Sequence, residues 1–315
     1  VAVAASLTVA ERDALEQLLR GVFGTAARLV VCHVTVRRHD YLVVLATLNL
    51  LAREIAIKLA GPDAPLACPF DRTATILRRV RAQTMLPVPE PLAHDCSAAA
   101  VPWRWSITTR LPGHRWSDVR RGWSASEHAD AWAALGRAVA ALHSLTFAAY
   151  GEIDATGAVS IGRPYAAALA TRAALRIADR DHRARFVDLL AERADLFAAR
   201  RAPSLSHDDL NPTNLLLLPD PHTERWELSG LLDFDSAWAG DRESDLARLA
   251  LWDGMIGGPF WAAYGREGTL APDEAERRLI LQLLWCLEYA QPTARHHADT
   301  ARICAALGLP TFTFG

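Results

Sequence analysis

The spacing of apolar and polar positions changes along the chain. From Leu29 to Leu59, β-branched and apolar residues alternate with polar ones in three runs: Leu29 to Val36, Tyr41 to Leu48, and Glu54 to Leu59. Alternation at period two predicts strands, and the polar stretch Arg37 to Asp40 predicts the turn that folds the first run onto the second. The result is an antiparallel meander. A helix precedes it, because Thr8 and Glu11 have capping-box spacing and helical periodicity continues to about Phe23. After a proline-rich link (Gly61 to Pro69), a second helix is predicted from about Asp71 to Gln83, stopped by Pro87, Pro89 and Pro91. Two more strands are expected, the second around Trp103 to Thr109.

Leu111-Pro112-Gly113 breaks this pattern. Beyond it, helical periods predict Ser126 to Leu145, Tyr165 to Ile177, Arg183 to Ala199, Glu243 to Met255, Pro272 to Tyr289 and Thr293 to Leu307. One strand-rich island, Ser204 to Phe234, interrupts them. The expected architecture is α+β, with a small antiparallel-sheet lobe over 1–110 and a larger, mostly helical lobe over 111–315. The hinge falls near Thr109 to Gly113.

Composition narrows the class. The chain has 315 residues, 51% of them hydrophobic and 22% charged, which predicts sizeable cores rather than disorder. A net charge of −2 and scattered arginine pairs argue against a nucleic-acid partner. The five cysteines are widely spaced with no CxxC, so they predict buried thiols in a reducing compartment. The longest apolar stretch, Tyr41 to Ala52, is too short for a bilayer, and the first residues lack a basic leader. A cytoplasmic protein without a membrane partner, monomeric or weakly dimeric, is expected.

The basic residues carry a sharper signal. Lys58 is the only lysine; the other 33 of 34 basic residues are arginine. A position that keeps a compact ammonium amid so many guanidiniums points to a need for a small point charge. The island adds His207, Asp209 and Asn214 in one loop, then two apolar runs joined by a polar turn, then Asp233-Phe234-Asp235. In such a hairpin Asn214 and Asp233 flank strand ends that lie side by side. One amide oxygen and one carboxylate, completed by water and phosphate oxygens, suit Mg²⁺. His207-Asp208 also reads as a metal-hydrolase dyad, but that chemistry needs further helical histidines, whereas Asn-Pro and a strand follow here. Packing beneath the loop is expected of His207, helix capping and loop bracing of Asp241 and Asp245, and either turn capping or metal approach of Asp235. His296 and His297 are expected at the surface.

His207-x-Asp209, Asn214 and Asp233-Phe234 resemble the catalytic loop and metal motif of eukaryotic-like kinases. Leu142 to Leu145, Leu111 to Gly113 and the Gly240 to Ala247 segment are similar to parts of the aminoglycoside phosphotransferase and choline kinase-like family. The resemblance spans about residues 50 to 250. It implies a bilobal protein-kinase-like fold and transfer of a phosphoryl group from ATP or GTP, with Mg²⁺, to a small-molecule hydroxyl. Lys58 would contact the α- and β-phosphates, Thr109 and Leu111 of the hinge would contact the nucleotide, and Asn214 and Asp233 would hold Mg²⁺. Asp209 would orient the acceptor hydroxyl and take its proton.

The chain departs from the family at three points. Thr73 stands where the helix after the lysine strand carries a lysine-pairing Glu, leaving Asp71, Glu54 or the phosphates to position Lys58. No glycine-rich loop precedes Lys58, so the turn Arg37 to Tyr41 is expected over the phosphates. Asp208 replaces a small residue and, if it faces Asp209, should raise one pKa of the pair. Thr73 supports a second reading, a catalytically weak nucleotide- or ligand-binding protein of the same fold. The family's acceptors include aminoglycosides, other antibiotics, choline-like amines and sugars, hence a link to antibiotic resistance. Glu288 beside Trp285 and Asp253 beside Trp252 suggest an acidic aromatic cleft for a cationic acceptor.

Overall fold

The computed structural model describes residues 7–50, 54–64, 68–198, 202–265, 272–289 and 292–313. The chain divides into two compact units, Val1–Pro112 with Gly230–Asp235, and Gly113–Ser229 with Ser236–Gly315. The segment Gly230–Asp235 thus groups with the first unit, although its place in sequence puts it in the 111–315 lobe. Backbone pairing accounts for part of this, since Leu231 N donates to Pro87 O at 2.9 Å.

In the first unit, α1 (Val9–Phe23) starts at the expected capping box, Thr8 with Glu11. The strands β1 (Leu29–Arg38), β2 (Tyr41–Leu48) and β3 (Ile55–Ala60) form the meander. After α2 (Phe70–Gln83) come β4 (Pro91–Asp95) and β5 (Arg104–Thr109), and the sheet order is β1-β2-β3-β5-β4. Ile55, Ile57 and Leu59 bury into one core with Leu15, Leu18 and Leu19 of α1. Each such side chain contributes about 1.5–3 kcal/mol on full burial. That burial fixes the register, and the pleat sends Lys58, between Ile57 and Leu59, to the opposite sheet face. Lys58 is paired with Val43 on one side and Ser106 on the other.

The second unit begins with β6 (His114–Arg115), α3 (Trp116–Val119), α4 (Ala125–His143), α5 (Tyr165–Arg176) and α6 (Arg180–Glu192). Short strands follow: β7 (Ser204–Ser206), β8 (Leu215–Pro219), β9 (Trp226–Leu231) and β10 (Trp238–Gly240). The predicted hairpin is β8 with β9, in a three-stranded sheet that β6 extends. The remainder is α7 (Glu243–Leu251), α8 (Gly258–Tyr264), α9 (Pro272–Leu287) and α10 (Ala294–Leu307). Gly113 has φ 127° and its missing Cβ would lie 2.2 Å from Ser229 Oγ, so the break after Pro112 requires glycine.

Three sequence expectations shift. α6 stops at Glu192 and a 3-10 turn, Ala194–Phe197, takes over what periodicity assigns to one longer helix. α8 has no counterpart in the pattern, because Gly257-Gly258-Pro259 reads as a breaker. It forms where Gly136 of α4 leaves room: a Cβ there would meet Phe260 O at 2.4 Å. His296 is buried, not superficial, and lies against the rings of Trp285 and Tyr289. Among the described residues no helix is long and apolar enough to cross a membrane.

Candidate active site

The loop after β7 is tied down from beneath. Asp245, fully buried near the start of α7, accepts from His207 N (2.8 Å) and Asp208 N (2.7 Å), and its Oδ2 meets His143 Nε2 at 3.0 Å. His143 Nδ1 pairs with the Tyr264 hydroxyl at 2.9 Å. His207 is fully buried, and its Nδ1 accepts from Asp209 N at 3.2 Å, the packing role expected from sequence. Asp241 caps the following helix through Glu243 N (2.9 Å) and accepts from Ser206 Oγ on its backbone oxygen (3.0 Å). A metal-hydrolase centre at His207 finds no support, since this imidazole nitrogen is engaged by backbone.

Two of the predicted residues meet in this loop. Asn214 Nδ2 donates to Asp209 Oδ2 and to Asp209 O, both at 2.9 Å. With its amide nitrogen so engaged, Asn214 keeps its carbonyl oxygen as the atom with acceptor capacity. The other Asp209 oxygen, Oδ1, accepts from Arg248 NH1 at 2.9 Å. Sequence reasoning misses Arg248, which lies 39 positions away on α7. The only local signal was its place one turn after Asp245 on a helix expected to brace the loop.

Asp208 does not face Asp209. It adopts φ 56°, and Oδ2 accepts from Arg172 Nε (2.8 Å) and NH2 (2.5 Å). Burial alone would push its carboxyl up, but Arg172, Arg248 and Arg176 outweigh that and hold it below the usual carboxylate range. The expected upward shift of the Asp208–Asp209 pair is therefore corrected for Asp208: guanidiniums, not a second carboxylate, set its charge. Arg172 also binds Glu152 (2.5 Å), and Arg176 binds Glu288 (2.8 Å).

On the Trp285 side of the expected acidic aromatic cleft, internal cations already occupy the acid and the ring. Glu288 is held by Arg176 and by Arg248 NH2 (3.5 Å). Both tryptophans of that expectation carry an internal guanidinium, Arg295 4.4 Å from Trp252 and Arg248 5.1 Å from Trp285, and the same holds for Trp238 with Arg172 (4.5 Å) and Trp261 with Arg278 (5.6 Å). A cationic ligand would have to displace these groups to use the same ring faces.

In the first unit, Lys58 Nζ lies 2.8 Å from Asp233 Oδ1 and 2.8 Å from Asp235 Oδ2. Asp233 has φ 67°, a left-handed conformation that aspartate tolerates better than most residues. A 3-10 turn over Phe234–Ser236 then carries Asp235. Thr73 Oγ1 donates to Asp235 Oδ1 (2.8 Å), and Arg72 NH2 donates to Asp235 O (2.5 Å). Burial opposes the ammonium form of Lys58, but Asp233 and Asp235 outweigh it and raise its pKa well above the usual value. Burial pushes Asp235 above the usual range, against the pull of Lys58 and with a further push from Asp233. Neither suggested substitute for the missing Glu serves: Glu54 pairs with Arg110, and Asp71 accepts from Arg72 N.

The remaining predicted residues lie at the end of β5. Thr109 is buried, and its hydroxyl accepts from Glu90 N at 3.0 Å while its N–H donates to Glu90 O at 3.0 Å. Leu111 is half-buried in the extended link that follows. At the β1–β2 turn, Arg37 is engaged by Glu11 (2.8 Å) and Asp40 accepts from Asp63 N (2.8 Å). The turn is thus tied to its own unit, and Arg37 is held on Glu11.

The donor set fits a hard divalent cation. Asp233 and Asp235 both offer carboxylate oxygen beside Lys58. Among the described residues no group of three or more His, Cys, Asp or Glu could hold a metal by itself. An ion there would take its other ligands from water and from phosphate.

A sequence profile described as the phosphotransferase enzyme family matches residues 41–280. No curated protein is matched by the sequence. Among solved structures the chain is similar to aminoglycoside phosphotransferase APH(4)-Ia, at 15% identity and TM-score 0.65, covering 94% of this chain and 97% of that one. A thermostable mutant of the same protein, in ternary complex with AMP-PNP and hygromycin B, gives 16% identity and TM-score 0.65 over 93% and 97% of the two chains. The GDP and kanamycin complex of APH(2")-IIIa gives 12% identity and TM-score 0.59 over 92% and 95%. The expected α+β fold, an antiparallel sheet followed by a mostly helical region, is the one these structures share.

Proposed function

Because the chain belongs to the phosphotransferase enzyme family, we propose that it transfers the γ-phosphate of ATP or GTP to a hydroxyl of a small molecule. The observation that carries this reading is the ion pair of Lys58 with Asp233, two residues of the expected motif set that lie 175 positions apart. In the proposed mechanism Lys58 neutralises the α- and β-phosphates, with Thr109 and Leu111 beside the base. Asp233 and the Asn214 carbonyl would hold Mg²⁺, which would supply charge compensation for the phosphates. Asp209 accepts a hydrogen bond from the acceptor hydroxyl, aims its oxygen at the γ-phosphorus and takes the proton as the new O–P bond forms and the bond from the γ-phosphorus to the β,γ-bridging oxygen breaks, releasing ADP or GDP. Arg248 and Asn214 keep the Asp209 carboxylate oriented. Positioning and charge compensation are most of what this chemistry needs.

The acceptor is a hydroxylated small molecule. Aminoglycosides enter through the hygromycin B and kanamycin complexes of the structural neighbours. The arginine-covered tryptophans favour recognition by hydrogen bonds over cation–π capture. The weak-binder alternative rests on Thr73, and the pairing of Lys58 with Asp235 as well as Asp233 supports the transferase reading beside it. The test is incubation with Mg²⁺, ATP or GTP and a panel of aminoglycosides, sugars and amino alcohols. Acceptor-dependent release of ADP or GDP is expected. Nucleotide binding without release across the panel would favour the binder.

A further inference from the structure

Thr73 has no carboxylate with which to pair Lys58. The structure nevertheless links α2 to the lysine, through a chain of three side chains. Thr73 Oγ1 donates to Asp235 Oδ1 at 2.8 Å, and Asp235 Oδ2 faces Lys58 Nζ at 2.8 Å. Arg72, the neighbouring residue on α2, holds the Asp235 backbone oxygen at 2.5 Å. The Asp235 side chain is 18% exposed and fixed at both ends, whereas that of Asp233 is 38% exposed. We propose that Asp235, anchored on α2 by Thr73 and Arg72, is the positioning residue for Lys58, so that the lysine-pairing acid has moved from the helix to the loop after β9.

The geometry explains both residues at once. With the carboxylate supplied by the loop, α2 must present a hydroxyl donor; a Glu there would set a second carboxylate against Asp235. Asp235 then keeps the ammonium aimed when Asp233 turns to another cation. Two carboxylates give Lys58 one fixed partner and one exchangeable partner. This inference rests on the phosphotransferase reading for its purpose, but not for its geometry.

The single lysine makes the test direct. In protein labelled with ¹⁵N-lysine, Lys58 gives the only side-chain ammonium resonance, read without nucleotide or metal. That signal should be exchange-protected in the wild type and in Asp233→Asn, and lost in Asp235→Asn. Loss in Asp233→Asn with retention in Asp235→Asn would overturn the proposal. Calorimetry with Mg²⁺ and ATP or GTP supplies the second readout. Asp235→Asn should weaken nucleotide binding by about tenfold, and Thr73→Glu should weaken it in the wild type yet restore it in the Asp235→Asn background. A Thr73→Glu effect of the same sign in both backgrounds would also overturn it. If the wild type binds no nucleotide, the phosphotransferase reading fails, while the resonance still decides which acid holds the lysine.

Discussion

Around Lys58 one ammonium meets two short carboxylates, whereas around Asp208 and Asp209 three forked guanidiniums answer the acids. The second cluster is the more rigid. Arg172, 2% exposed, engages Asp208 through two nitrogens and Glu152 through a third, so its plane is set by three bonds. Arg248 likewise joins Asp209 to Glu288. A guanidinium cannot swap one partner without disturbing the others. An ammonium on a flexible stem can rotate its three donors from carboxylate to phosphate. A chain that uses arginine nearly everywhere keeps its lysine where partners are proposed to change, and builds its frame from forks.

That contrast can be broken by experiment. The largest effect is expected at the residue the frame presents: Asp209→Asn should lower turnover by about 10²–10⁴-fold while nucleotide affinity holds. Steady-state rates beside calorimetric binding check this, and normal turnover would remove Asp209 as base. Next is Arg172→Met, which leaves Asp208 buried without its fork and should cost about 3–5 kcal/mol in a urea titration. Lys58→Met should cost clearly less stability, and equal losses would erase the distinction between frame and exchangeable contact. Lys58→Arg keeps the charge but not its shape, and should lower kcat/KM for nucleotide by about tenfold or more.

The smallest effect concerns acid. The Glu11 carboxyl is lowered to about 2, chiefly by its hydrogen bond to Arg37, which with those from Thr8 outweighs the opposing effect of burial. A folded pKa below the unfolded value of 4.5 gives stability that is complete above that value and lost as pH falls towards 2. Glu11→Gln should flatten the stability profile of the first unit across that window. Asp208 shifts in the same direction by a buried route, so the acid limb that persists in Glu11→Gln should shrink in Arg172→Met.

Local pattern made much of the fold legible. Period-two alternation located β1, β2 and β3, the capping box located the start of α1, and burial of Ile57 and Leu59 left Lys58 only one face to occupy. The loop that carries Asp209 and Asn214 was readable because its spacing is local, as their contact across five positions illustrates. α8 was not readable, since its Gly-Pro start signals a break and only the space beside Gly136 makes seven helical residues worthwhile. The tryptophans misled for a similar reason: a ring beside an acid suggests a cation site, and nothing nearby in sequence reveals that an arginine already covers it.

The sequence by itself determined where the first three strands, most helices and the chemistry-bearing loop fall, because those depend on periods and spacings within a few residues. Tertiary structure alone decided that Asp235 joins Asp233 at Lys58, that Arg248 meets Asp209, and that Asp208 turns away. Those outcomes depend on pairs 162, 39 and 36 positions apart, Thr73 with Asp235, Arg248 with Asp209 and Arg172 with Asp208. Charges that distant meet only after packing has excluded water and fixed their approach, and no local pattern encodes that meeting.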